Sequence, residues 1–279
     1  MIISASYRTD IPALYGKWFE NRLNAGFCEV KNPYSGKFHR VSLLKEDVTA
    51  YVFWTKMVSP FTSKLTRLKD EGIPFMVTHT ITNYPRPLEN MANGRERILG
   101  GVRQVCLEHG KSAVVWRYDP VVFTDTQTVA WHVENFGRLA EDLAGYTDSC
   151  VVSFLQTYAK AALRMREAGP VEPSEAMRES LLRQMLDITK THQIQLGICT
   201  QPLFQIDGVV TAKCIDKERL ALRGADITRV RQKAHREGGC DCAESRDIGG
   251  YNSCLLGCAY CYAVQYEKLA MDDALSLST

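Results

Sequence analysis

The sequence predicts an α/β protein built on a parallel sheet, a complete or partial (β/α) barrel of the TIM type. Two observations lead there. Six short apolar or β-branched runs recur along the chain with amphipathic helical patterns between them, the rhythm of parallel strands joined by crossover helices. Neither a G-x-G-x-x-G turn nor a G-x-x-x-x-G-K-S/T loop follows any of these runs, so an open doubly wound nucleotide-binding sheet loses its main support.

The strand candidates are IISAS (2–6), AYVFWT (50–55), FMVTHTI (75–81), AVVWRY (113–118), CVVSFL (150–155) and IQLGIC (194–199). The first helical pattern runs from residue 11 to Gly26, with Thr9 or Asp10 as its cap and Pro12 in its first turn. A second, over 128–145, spaces Val129, Val133, Phe136, Leu139 and Leu143 along one face and stops at Gly145. A third, over 173–192, opens on Ser174 as cap and carries Met177, Leu181, Leu182, Met185 and Ile188 on one face. The expected organisation is a barrel domain over 1–236 with a cysteine-rich segment, 237–279, packed on it.

At 279 residues, 45% hydrophobic and 24% charged, the chain has the composition of a globular enzyme rather than of a disordered or fibrous protein. No run of about 18 apolar residues spans a membrane, and the start, MIISASYRTD, lacks the basic and apolar regions of a secretory signal, which together place the protein in the cytoplasm with no membrane partner. The formal net charge is only +2. Basic residues nevertheless gather at Lys217, Arg219, Arg223, Arg229, Arg231, Lys233 and Arg236, either as a solvated helix face or as a strip for phosphates.

In a (β/α) barrel the active site gathers at the C-terminal ends of the strands. Reading just past each run gives Arg8 and Asp10; Trp54 and Lys56; His79, Thr80 and Asn83; Arg117, Tyr118 and Asp119; Gln156 and Tyr158; Thr200 and Gln201. Singly, each has an ordinary structural role open to it: Asp10 caps a helix, Asp119 shapes a turn before Pro120, and Arg8 or Arg117 pairs with a carboxylate. Lining one mouth, they describe a site.

The chain has ten cysteines, and half of them lie in its last forty residues. In a reducing compartment such density points to metal or redox chemistry rather than to disulfides. Cys28, Cys106, Cys150, Cys199 and Cys214 are scattered singly and read as small buried hydrophobes. Cys254, Cys258 and Cys261 are different: they are spaced C-x3-C-x2-C, with aromatic Tyr260 before the last and Gly257 allowing a tight turn between them. Three thiolates so spaced suit a [4Fe-4S] cube with one iron left open.

C-x3-C-x-aromatic-C is the pattern of the radical S-adenosylmethionine superfamily, which this motif resembles at every position. The resemblance implies that Cys254, Cys258 and Cys261 hold a [4Fe-4S] cluster and that Tyr260 lies beside the cofactor. It also implies that S-adenosylmethionine binds the open iron, and that one-electron cleavage of its sulfonium starts radical chemistry, fed by a reductant such as a flavodoxin or ferredoxin. Arg8, Asp10, Lys56, Arg117 and Asp119 would then position S-adenosylmethionine or substrate, Arg8, Asp10 and Arg117 on the cofactor. Further blocks, ISASYRTDIPALYGKWF, KNPYSG, VFWTK, VVWRYDPV, VVSFL and CDCAESRDIGGYNSCLLGCAYCYA, resemble the DUF1848 family over most of the chain. That family has no assigned reaction.

The departure from the superfamily pattern is position, since the motif normally follows the first barrel strand and here lies near residue 279. A permuted barrel accounts for it, with DIGGYN as the equivalent of the first strand and AVQYEKLAMDDAL as the helix after the cluster loop. The motif loop is also similar to that of the DNA-repairing spore photoproduct lyase branch, which together with the basic segment suggests a nucleic acid or nucleotide substrate. Two alternatives stay open. Cys240 or Cys242 could supply a fourth thiolate, closing the cluster into an electron-transfer or structural centre, or bind a second metal. Zinc at Cys258 and Cys261 would instead stabilise a nucleic-acid-binding module.

Overall fold

A computed structural model describes residues 1–90, 94–156, 159–199, 206–234 and 240–265. Tyr158, Thr200, Gln201, Arg236 and the part of the last expected helix beyond residue 265 lie outside the described residues.

The centre is an eight-stranded sheet in which every neighbouring pair is parallel. In chain order its strands are β1 (Ile2–Ala5), β4 (Ala50–Thr55), β5 (Phe75–Thr80), β6 (Val114–Val121), β7 (Ser149–Phe154), β8 (Gln195–Ile198), β9 (Val210–Thr211) and β10 (Ser245–Asp247). In space the order is β10-β1-β4-β5-β6-β7-β8-β9, so the last strand of the chain lies beside the first. All six expected strands are present. Of the two edge strands, β9 is too short, at two residues, to carry a period, and β10 lies ahead of the DIGGYN stretch expected as a strand, sharing only Asp247 with it, because the chain leaves the sheet before Gly249 and Gly250. A separate antiparallel hairpin, β2 (Phe27–Lys31) with β3 (Phe38–Ser42), was not expected; its polar, half-exposed strands lack a continuous apolar run.

Crossover helices join the strands: α1 (Ile11–Leu14), α2 (Gly16–Ala25), α3 (Thr62–Asp70), α4 (Arg95–His109), α5 (Val129–Leu143), α6 (Ala159–Ala168), α7 (Glu175–Thr191) and α8 (Lys217–Leu222). The side chains of Thr128 and Ser174 cap α5 and α7, each accepting from the third residue on. The single helix expected over 11–26 is instead two, because Tyr15, at φ −127° and ψ 29°, leaves the helical region between α1 and α2.

Alternation along each strand sends residues to two different environments. On the helix side, Phe53, Phe75, Trp116 and Val152 pack with Phe19, Phe61 and Phe136 from the helices. Burying each of these large side chains contributes about 1.5–3 kcal/mol. On the other face, Ile2, Val52, Met76, Val115 and Val151 meet Ala212, Leu220, Cys240 and Cys242 from the segment between β9 and β10. That segment also crosses the N-terminal ends of the strands. There Arg219 bonds the Ser112 carbonyl (3.1 Å) and Asp148 (2.7 Å), and Arg223 bonds the His109 carbonyl (3.0 Å) and the Phe75 carbonyl.

Among the described residues β9 and β10 do not pair with each other, yet the chain beside each of them does. Ala243 donates to the Ile215 carbonyl at 2.9 Å, and Glu244 to the Arg231 carbonyl at 2.8 Å. The C-terminal segment from residue 237 thus supplies an edge strand as well as the cysteines. No helix among the described residues is long and apolar enough to cross a membrane.

Candidate functional site

A cavity of about 520 Å³ opens at the C-terminal ends of the strands, a size within the usual range of small-molecule sites, roughly 300–1,000 Å³. Arg8, Asp10, Lys56, Arg117, Asp119 and Tyr260 all line it, and so do Cys254, Cys258 and Cys261. Residues spread over more than 250 positions therefore meet in one place. Trp54, Thr80 and Gln156 join them.

The cysteine loop follows β10 directly and is tied to the body from several sides. Thr9 donates to the Gly250 carbonyl (2.7 Å), Tyr15 to the Ser253 carbonyl (2.5 Å) and Tyr262 to the Tyr7 carbonyl (2.6 Å). Arg164 of α6 reaches the carbonyls of Ala259 (3.3 Å), Gln265 (3.0 Å) and Cys261. Two glycines make this path passable. Gly257 turns at φ +68°, which side chains other than glycine rarely adopt, and a Cβ on Gly249 would lie 2.0 Å from Ser6 Oγ. The bond from Tyr15 also explains the break between α1 and α2, since a continuous helix would carry that ring elsewhere.

None of the three motif cysteines is in a disulfide. Burial pushes the Cys254 thiol up to about 12, although the backbone N–H groups of Leu256 and Asp10 are aimed at its sulfur. Burial also raises the Cys258 thiol, against an opposing pull from Lys56. Half-buried thiols so placed ionise when a metal takes the proton's place, so the donor set, three thiols beside an open cavity, fits a cluster with one iron left for a ligand. Among the described residues, no three His, Cys, Asp or Glu side chains already surround a point where a lone metal ion would fit.

The charged residues come in pairs. Arg8 stands 3.8 Å from Asp247 of β10 and lies over the rings of Tyr251 (5.0 Å) and Tyr7 (5.4 Å). Asp247 also accepts from Ser6 (2.7 Å), Ser4 (3.0 Å) and the Tyr7 N–H (3.1 Å). Arg117 pairs with Asp119, which accepts from Ser153, and its other nitrogen reaches Cys214 Sγ at 3.4 Å. Lys56 meets Glu89 at 2.7 Å, and Glu89 also accepts from Thr82 and, at 2.5 Å, from the Tyr260 hydroxyl. Burial is the largest single influence on Lys56 and favours its neutral amine, but Glu89, Cys258 and Asp10 together outweigh it and the pKa ends up raised.

Asp10 takes a structural role. One carboxylate oxygen caps α1 through Ala13 (2.9 Å) and the other accepts from the Lys56 N–H (2.7 Å). Its pKa is raised to about 6 because burial outweighs those bonds. Two other expected members turn away from the cavity. His79 lies on the helix side of β5, alternating with inward Thr80, and Tyr118 is in the core, its hydroxyl on His132 at 2.8 Å. Asn83 bonds Asn135 at 2.8 Å.

Several participants had no sequence signal. Glu89 stands in the irregular stretch before α4, where nothing marks it as the partner of Lys56 33 residues earlier. Tyr7, Ser153 and Asp247 likewise acquire their roles only through pairing across strands. Cys199 and Cys214 correct an expectation: they are not isolated hydrophobes. Both line the cavity, with their sulfurs 3.3 Å apart. Cys242, with Cys240 one of the two open candidates for a fourth or a second-metal ligand, accepts from the Cys214 N–H at 3.2 Å and contacts the Cys240 thiol. Part of the basic segment is engaged as well, with Arg219 and Arg223 holding strand starts at the end opposite the cavity and Lys233 on Glu244 at 3.4 Å.

Compared with known families, residues 2–263 match the family described as Domain of unknown function (DUF1848). No curated protein matches the chain.

Proposed function

Since the chain belongs to the DUF1848 family over nearly its whole length, and that family carries no reaction, we propose from the site itself that the protein is a radical S-adenosylmethionine-type enzyme on a permuted barrel. The carrying observation is one of order in space. The C-x3-C-x2-C loop leaves the end of β10, β10 lies parallel beside β1, and the loop opens into the cavity formed by the other strand ends. A cluster loop after a first strand is the superfamily's arrangement, here completed by the last strand of the chain. The contacts between the segments flanking β9 and β10 support closure of the sheet into a barrel.

Cys254, Cys258 and Cys261 would hold a [4Fe-4S] cluster, with S-adenosylmethionine as the second cofactor. When bound, that pair supplies one-electron cleavage of a sulfonium and hydrogen abstraction from a substrate, with the electron delivered by a small reductant such as a flavodoxin or ferredoxin. The chain's own residues bind and orient. Arg8, between two tyrosine rings, offers its guanidinium to a carboxylate, and Arg117 with Asp119 presents donors and acceptors to hydroxyl groups on the opposite wall. Lys56 and Glu89 hold Tyr260, and with it the cysteine loop, against the strand ends, while Asp10 fixes the Lys56 backbone. The cavity suits a nucleotide-sized substrate; the basic segment adds little to a nucleic-acid reading, because two of its arginines hold strand starts at the far end.

The test is electron paramagnetic resonance on anaerobically reconstituted, dithionite-reduced protein with and without S-adenosylmethionine. A [4Fe-4S]+ signal that shifts on addition, and is lost in Cys258→Ala, is the expected result. A cluster signal indifferent to the cofactor would assign a closed centre, and stoichiometric zinc without iron would refute the proposal.

A further inference from the structure

Four other cysteines come together beside the same cavity. Cys199 follows β8, Cys214 follows β9, and Cys240 and Cys242 precede β10, so three separated stretches of chain meet there. Their contacts run in file. Cys199 Sγ lies 3.3 Å from Cys214 Sγ, Cys242 Sγ accepts from the Cys214 N–H at 3.2 Å, and the Cys242 thiol contacts those of Cys214 and Cys240. Cys28 and Cys150 provide the contrast, being fully buried and set in the apolar core as small hydrophobes.

We infer that Cys199, Cys214, Cys240 and Cys242 form a second metal centre, taking a soft, thiophilic metal either as one tetrahedral ion or as an iron–sulfur cluster. Around a zinc ion with bonds of about 2.3 Å, tetrahedral thiolates lie about 3.8 Å apart, so the 3.3 Å contact between Cys199 and Cys214 is close to a ligand edge. The sulfurs stand in file rather than around a centre, and loading includes a turn of the end thiols about their single side-chain torsion. An outer partner is already in place: Arg117 Nη1 donates to Cys214 Sγ at 3.4 Å, the kind of N–H bond that stabilises a ligating thiolate. The position gives the centre a structural task. Cys214 belongs to the chain beside β9 and Cys242 to the chain beside β10, the two outer strands of the sheet, so a shared metal would staple its edges. Cys199 and Cys214 also face the cavity.

This inference does not depend on the reading of Cys254, Cys258 and Cys261, and the experiment removes those three. The full chain carrying Cys254→Ala, Cys258→Ala and Cys261→Ala is purified anaerobically and given cobalt(II) in one arm and iron with sulfide in the other. Retention of about one equivalent of cobalt with the charge-transfer and intense visible bands of tetrahedral thiolate assigns a single ion. Retention of iron with a cluster absorption or reduced-state paramagnetic signal assigns a cluster. Either supports the inference if Cys214→Ala or Cys240→Ala, added to the triple variant, abolishes it. A triple variant with a native circular dichroism spectrum that retains no metal in either arm overturns it, as does a titration showing Cys199 and Cys214 joined in a disulfide in protein never exposed to oxidant. If the triple variant does not fold, Cys199→Ala and Cys240→Ala in the otherwise unchanged chain decide the matter. Each should lower the metal content while leaving the S-adenosylmethionine-responsive signal, and an unchanged metal content refutes the second centre.

Discussion

Lys56 and Glu89 show how much of this site rests on pairing. Both are almost completely buried, with side chains 10% and 7% exposed, and they meet at 2.7 Å. Removing one member of such a pair strands the other charge, at a cost of about 3–5 kcal/mol. Glu89→Ala is therefore expected to lose about that much stability in urea unfolding, and Lys56→Met added to it should recover most of the loss. A single variant as stable as the parent would contradict the pairing. Gly249 tests close approach rather than charge. With a Cβ 2.0 Å from Ser6 Oγ and 2.6 Å from Ser6 Cβ, Gly249→Ala should cost about 1–3 kcal/mol by overpacking and lower the iron retained after reconstitution. Because both clashing atoms belong to the Ser6 side chain, Ser6→Gly should relieve the defect where Ser6→Ala does not. At this scale Arg8, Arg117 and Asp119 were legible as strand-end residues, because a two-residue period assigns faces. Glu89 was not, since irregular chain has no period to read.

At the scale of elements, the cysteine loop depends on its neighbours for shape. Arg164 on α6 supplies a side chain that bonds three loop carbonyls, groups that otherwise rely on water. Arg164→Ala should speed amide hydrogen exchange across residues 254–265 and lower retained iron, while exchange in β4 to β7 stays as in the parent. Equal exchange in the loop would show that Thr9, Tyr15 and Tyr262 suffice. The long helices announced themselves by cap and periodicity, as with Thr128 and Ser174. The break at Tyr15 did not, since its cause lies on a loop 238 residues away in sequence.

For the whole molecule, buried histidines set an acid limit. Burial lowers His79 to about 3 and His132 to about 4, against about 6.5 in an unfolded chain. Below about pH 6.5 the unfolded chain takes up protons that the folded one refuses, so stability falls with pH until the folded values are reached. Buried Asp10, raised to about 6, acts in the opposite sense below about pH 6, since its protonation favours the folded state there, and Asp247, also raised by burial, acts in the same direction as Asp10. Two histidines outnumber the one aspartate held near 6, so the expected profile is a decline that begins near pH 7, is offset in part by Asp10 below about pH 6 and continues toward pH 4. His79→Leu should shallow the decline in thermal unfolding, and an unchanged slope would remove His79 from the account.

Class of fold, strand positions and the cysteine motif were readable along the chain because each is a local matter: alternation, helical spacing and ligand spacing are properties of short stretches. Position 247 as the partner of Arg8, the last strand lying beside the first, and the meeting of Cys199 and Cys214 with Cys240 and Cys242 have no local signature. They arise from the order in which strands pair, and that order is settled by packing two faces of one sheet, a global requirement that no single segment expresses. The same sheet gathers residues from opposite ends of the chain into a single cavity, which is why the site could be listed from the chain but its pairs only from the fold.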